Sequence, residues 1–110
     1  MKYQDLKISK KIFEFTVFSY EATKNYAKEY RHNIAFKITD NCLEMMEYIY
    51  RANASQETRE ENLNKVLELI RNIDLLYRVS FQLRLINEKR YADYMEMIGD
   101  IRKQCYNWKR

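Results

Sequence analysis

The chain has 110 residues, 46% of them hydrophobic, with no Pro and one Gly, Gly99. That length holds one domain, the apolar content excludes a disordered chain, and the near absence of turn residues excludes a sheet protein. Its 20 Lys/Arg and 16 Asp/Glu leave a net charge of +4, and no stretch reaches the roughly 18 uninterrupted apolar residues of a membrane span.

In chain order, Met1-Lys2-Tyr3-Gln4-Asp5 is polar and lacks the apolar run of a signal peptide; a cytoplasmic location is expected. A first helix is expected over about 5–25, with Leu6, Ile8, Ile12, Phe13, Phe15, Val17, Phe18 and Ala22 as its apolar face. After the polar joint Asn25-Tyr26-Ala27-Lys28-Glu29, a second is expected over about 30–53. There Ile34, Ala35, Ile38, Cys42, Met45, Ile49 and Ala52 recur at one-, three- and four-residue spacing.

Thr58-Arg59-Glu60-Glu61 has the spacing of a capping box, and a third helix is expected from there to about Leu85. Its apolar positions, Leu63, Val66, Leu67, Leu69, Ile70, Ile73, Leu76, Tyr77, the small Ser80, Phe81 and Leu83, sweep roughly 200° at ~100° per residue. The heptad-spaced Leu69, Leu76 and Leu83 form a surplus stripe and mark a candidate contact with another subunit. Asn87 is a natural N-cap for a fourth helix over about 88–108, with Tyr91, Tyr94, Met95, Ile98, Ile101, Cys105 and Trp108 inward. Short joints make sequential helices antiparallel neighbours, so the expected fold is all-α, an antiparallel up-down-up-down four-helix bundle in a single domain over 1–110. Cys42 and Cys105 fall on apolar faces and are expected to be free, buried thiols.

The residues argue against enzyme chemistry. The one histidine, His32, stands in a single Glu29-x-x-His32 motif, where a di-iron bundle needs two such motifs and two further glutamates. Zinc would need more Cys and His at suitable spacing. Glu44-Met45-Met46-Glu47 could place two carboxylates on one helix face for a magnesium ion, but such pairs are common on solvated helices. There is no Gly-rich phosphate loop and no nucleophile–base constellation. No catalytic residue, metal or cofactor is expected.

Charge is informative in its distribution. Residues 1–70 hold 11 Lys/Arg and 11 Asp/Glu, whereas residues 71–110 hold 9 against 5. The excess lies in the last two helices, a side suited to an anionic partner such as RNA or DNA. Tyr77-Arg78, Arg90-Tyr91 and Tyr106-Asn107-Trp108-Lys109-Arg110 interleave aromatic and basic residues, as base stacking beside phosphate contacts requires.

Four segments carry a family resemblance spanning nearly the whole chain. Asn25-Tyr26-Ala27-Lys28-Glu29-Tyr30-Arg31 resembles an Asn-Phe-Pro-Lys-Glu-Tyr-Arg joint. Tyr48-Ile49-Tyr50-Arg51-Ala52-Asn53 resembles an Ile-x-Arg-Ala-Asn helix end. Leu75-Leu76-Tyr77-Arg78 through Asn87-Glu88-Lys89-Arg90-Tyr91 resembles a Leu-Leu-x-Leu helix followed by a Ser-Glu-Lys-x-Tyr turn. Ile101-Arg102-Lys103-Gln104-Cys105-Tyr106-Asn107-Trp108 resembles Ile-Gly-Arg-x-Leu-Gly-Gly-Trp. In order and spacing they are similar to the four-helix-bundle family of the accessory variability determinant of diversity-generating retroelements (Avd). A related branch is the protein encoded in 23S rRNA intervening sequences, and Tyr3-Gln4-Asp5-Leu6 is similar to that branch's Tyr-x-Asp-Leu. Ala27 stands where the family has proline, and Arg102, Tyr106 and Asn107 where it has glycine.

The resemblance to Avd implies a homopentamer that binds nucleic acid. It implies association with the retroelement reverse transcriptase and its template RNA, in support of mutagenic complementary-DNA synthesis that it does not catalyse. On that reading Arg71, Arg78, Arg84, Lys89, Arg90, Arg102 and Lys103 hold phosphates. The other branch implies a bundle of less defined role, and a purely protein-binding oligomeric scaffold is the further alternative.

Overall fold

The computed structural model describes residues 6–109, and all of its regular elements are helices. Helix α1 is Lys7–Thr23. A second rod opens with α2, Lys28–Tyr30, passes through a π-helical turn, Arg31–Ala35, and continues as α3, Phe36–Ala54. Helix α4 is Arg59–Gln82 and α5 is Glu88–Lys109. The first helix expectation includes Asp5, which lies outside the described residues, as does Arg110.

The molecule is an all-helical bundle in which neighbours close a ring: α1 packs on α3, α3 on α4, α4 on α5 and α5 on α1. Residue pairings run in opposite order between α4 and α5 and between α1 and α5. On α4 and α5, the Cys105 thiol donates to the Leu63 carbonyl (3.5 Å) and the Tyr94 hydroxyl to Asp74 (2.7 Å). On α1 and α5, Lys11 meets Asp100 (3.3 Å) and the Arg90 guanidinium lies over Phe18 (5.5 Å to the centroid).

The core follows the expected faces of the second rod: Ala35, Ile38, Cys42, Met45, Ile49 and Ala52 are all buried. Elsewhere the structure corrects the expected faces. On α1, Phe13 (59% exposed) and Val17 (49%) point outward, and Ser9, Thr16, Ser19 and Thr23 are buried. These hydroxyls are tolerated inside because they find acceptors locally. Thr16 donates to the Ile12 carbonyl (2.8 Å), Thr23 to the Ser19 carbonyl (2.9 Å), and Ser19 hydrogen-bonds the Tyr77 hydroxyl (2.7 Å). Met95, expected inward, is also exposed. Two joint residues, Tyr26 and Ile86, are buried and plug the ends of the core. At its centre Tyr77 and Tyr94 stack with centroids 4.0 Å apart, and Phe15 packs against both.

Helix ends show the same mixture. Asn87 caps α5 as expected, its side-chain oxygen accepting the Arg90 N–H (2.8 Å). Thr58 does not form the expected capping box. Its backbone, φ −102° and ψ 4°, is outside the extended region a capping residue needs, and its hydroxyl accepts the Asn62 side-chain amide instead (3.1 Å). Helix α4 stops at Gln82, short of the expected Leu85. Leu85 N–H bonds the Ser80 carbonyl (2.8 Å) and Arg84 N–H the Phe81 carbonyl (3.0 Å), with Arg84 at φ 61°. This is a Schellman stop with arginine where glycine is usual.

Among the described residues no helix is long and apolar enough to cross a membrane.

Candidate nucleic-acid interface

Helices α4 and α5 lie side by side and present a shared outward face. A groove of about 540 Å³ between them is lined by Asn64, Glu68, Arg71, Asp74, Arg102 and Tyr106, among others. Helical spacing puts the pieces in place. Arg71 and Arg78 are seven residues apart, two turns along one side of α4, and Arg102 and Tyr106 are four apart on the side of α5 that faces them. Tyr106 is half exposed and shares the groove with Arg71 and Arg102, with the Lys109 ammonium over its ring (5.8 Å to the centroid).

The carboxylates in the groove have other partners. Asp74 accepts the Tyr94 hydroxyl (2.7 Å), and Glu68 pairs with Lys65 (3.8 Å). Burial first, and the Asp74 carboxylate next, push the Tyr94 hydroxyl far above its ordinary range, so it stays a proton donor to Asp74 at any physiological pH. Among the described residues, the ion pairs involve none of Arg71, Arg78 and Arg102. Guanidiniums without a carboxylate partner retain their forked donors for phosphate oxygens.

The other expected phosphate ligands do not share this groove. Arg84 projects from the exposed turn between α4 and α5, beside a second groove lined by Gln82, Leu85, Asn87 and Glu88. Lys89 is tied to Asp93 (2.8 Å). Arg90 is half-buried over the Phe18 ring, on the α1 side of α5. Lys103 is exposed. The α1–α5 groove next to Lys89 carries Glu14, Asp93, Glu96 and Asp100 with Lys11, and repels phosphate. The structure thus brings Arg71 and Arg102 into one groove and disperses the rest, Arg78 lining a separate groove with Leu75, Val79 and Phe81.

Of the other polar groove residues, the sequence named Tyr106 and did not single out Asn64. Tyr106 stood in the aromatic-basic carboxyl-terminal segment, which was a usable signal. Asn64 gave none, because its role depends on where α5 lies.

Of the stripe Leu69, Leu76 and Leu83, Leu69 is a core residue, 8% exposed. Leu76 is half-buried against the core and only Leu83 is open. The broad apolar arc is used within the subunit, because α4 touches both α3 and α5.

His32 is exposed in the π-helical turn, Glu44 is exposed, and Glu47 pairs with Arg51 (2.6 Å). Among the described residues no cluster of three or more His, Cys, Asp or Glu gathers that could hold a metal ion. Burial raises the Cys42 thiol to about 12 and the Cys105 thiol to about 11, so neither is a ready nucleophile.

No protein-family model matches the chain, and a search of curated proteins returns no match.

Proposed function

We propose that this chain is a non-catalytic nucleic-acid-binding accessory protein of a diversity-generating retroelement. It associates with the reverse transcriptase and its template RNA and supports mutagenic complementary-DNA synthesis as a homopentamer. The reading rests on the resemblance of its four segments to the Avd family and on one structural observation. That observation is the α4–α5 groove, where Arg71 and Arg102 stand with the half-exposed Tyr106 and, among the described residues, pair with no carboxylate. In this reading the rods alternate up-down-up-down, the guanidiniums hold the RNA backbone and Tyr106 stacks on an unpaired base.

Binding of a structured RNA to wild type and to the Arg71→Gln/Arg102→Gln double variant, over a range of salt, tests it. The double variant should lose about tenfold in affinity, and its slope of log affinity against log salt should be shallower by about 1.4, for two single-strand phosphate contacts removed. Circular dichroism should be unchanged, because both side chains lie on the surface groove. Equal affinity and slope for the two proteins would overturn the assignment. Binding of the reverse transcriptase with no affinity for RNA would favour the protein-binding scaffold instead.

A further inference from the structure

The separate groove that Arg78 lines on α4, about 440 Å³ in volume, is not used by the proposed function. Its floor is apolar. Leu75, Val79 and Leu83, four apart, form one row and are 44–53% exposed. Arg78 and Gln82, also four apart, run beside that row, so Leu75 neighbours the guanidinium and Val79 the amide at three-residue spacing. The rings of Phe81 and Tyr91, stacked with centroids 4.5 Å apart, wall the groove toward α5.

Charge and backbone together select what fits this seat. Arg78 is exposed and, among the described residues, in no ion pair. Asp74, one turn back on α4, accepts the Tyr94 hydroxyl (2.7 Å) and forms no ion pair with Arg78. A forked donor beside apolar side chains matches a carboxylate carried on an apolar body. A nucleic-acid backbone matches it poorly, since satisfying Arg78 would lay charged phosphates over bare leucine and valine. The backbone of α4 is closed on itself by helical hydrogen bonds, so an extended peptide finds no main-chain partner there. An incoming helix needs none, and side-chain rows at one-turn spacing are what a second helix meshes with.

We infer that this face of α4 docks an acidic amphipathic helix of a partner protein. The apolar side chains of that helix lie along Leu75, Val79 and Leu83. A Glu or Asp at its edge takes the parallel N–H donors of Arg78, with the Gln82 amide one turn on. From Leu75 to Leu83 the seat is about 12 Å long at ~1.5 Å per residue, the length of two helical turns. The inference goes beyond the nucleic-acid reading. It uses other residues, leaves the groove of Arg71 and Arg102 free, and stands or falls separately.

The probe is a phage-displayed library of random peptides of about 16 residues, roughly four helical turns. It is selected on the wild-type protein, and phage that also bind Val79→Glu are discarded, so survivors need this face. Circular dichroism checks the fold of Val79→Glu and Arg78→Glu, and Arg78→Glu takes over the discarding step should Val79→Glu fail to fold. Survivors should share a Glu or Asp flanked by Leu, Ile or Phe at three- and four-residue spacing. Titrated as synthetic peptides by fluorescence anisotropy, they should bind Arg78→Glu about tenfold more weakly, and exchanging their acid for Lys should restore the affinity. They should gain helical circular dichroism on binding, and Arg71→Gln/Arg102→Gln should leave their affinity unchanged. No survivors, survivors without an acid, or equal affinity for Arg78→Glu would overturn the inference. Self-association of the wild type that either variant abolishes would give the seat to a second copy and overturn it as well. RNA affinity that falls as far with Arg78→Gln as with Arg71→Gln, while the peptides bind unchanged, would assign Arg78 to nucleic acid instead.

Discussion

Arg84 is the one non-glycine residue at positive φ among the described residues, at 61°. An L-residue with a Cβ is disfavoured there by about 1 kcal/mol relative to glycine, the residue that ordinarily ends a Schellman stop. Arg84→Gly is therefore expected to stabilise the protein by about 1 kcal/mol and raise the thermal midpoint by about 5 °C in a melting experiment. An unchanged or lower midpoint would mean that the guanidinium makes contacts worth as much as the strain. The buried thiols illustrate a second rule at this scale. Cys42 is kept neutral by burial, with weaker opposing hydrogen bonds from Ser19 and Thr16. The sequence places Cys42 on the apolar face of its helix, while the neighbours that complete its enclosure come from other helices.

At the scale of the element, two helix starts with equally good sequence signals behave differently. Asn87 caps α5 because the turn made by Leu85 and Ile86 delivers it with its side chain toward the Arg90 N–H. Thr58 sits in a tighter turn after Ser55 and satisfies Asn62. Replacing Asn87 with Ala should cost about 1 kcal/mol in urea unfolding, and replacing Thr58 with Ala distinctly less. Equal losses would show that Thr58 caps after all. At the start of the second rod Ala27 is held at φ −57°, a value within the range to which a proline ring locks φ, so the backbone of this joint would accept a proline.

For the whole molecule, the groups that burial perturbs all push in one direction. Tyr26, Tyr77 and Tyr94 are raised by burial, Cys42 to about 12 and Cys105 to about 11. Each is a neutral acid in the folded state with its pKa above the unfolded value, so above pH 9, the ordinary thiol value of 9.0, the folded chain binds more protons than the unfolded one. Stability is therefore expected to be level near neutrality and to fall steadily as pH rises through 9 to 12, read as thermal midpoints across that range. A flat profile to pH 11 would mean that these groups are less enclosed than the bundle makes them. The same enclosure predicts slow reaction of both thiols with alkylating reagents until the protein unfolds.

Period and composition alone determined that this chain is helical, where its four rods lie to within a few residues, and which face of the second rod is buried. Those properties depend on spacing along one helix and on the absence of Pro and Gly, and both are local. The basic half was legible for the same reason, as a count along the chain. Which basic residues meet was decided by tertiary structure. Arg71 and Arg102 become neighbours because α5 folds back along α4, and Arg90 is lost to the groove because α1 offers it the Phe18 ring. Tertiary structure also exchanged hydrophobic for hydroxyl residues on α1. Serine and threonine can be buried at little cost once a carbonyl one turn back or the Tyr77 hydroxyl completes their hydrogen bonds, and Phe13 and Val17 are then left on the surface. Burial is a property of the partners a side chain finds, and those partners come from distant parts of the chain.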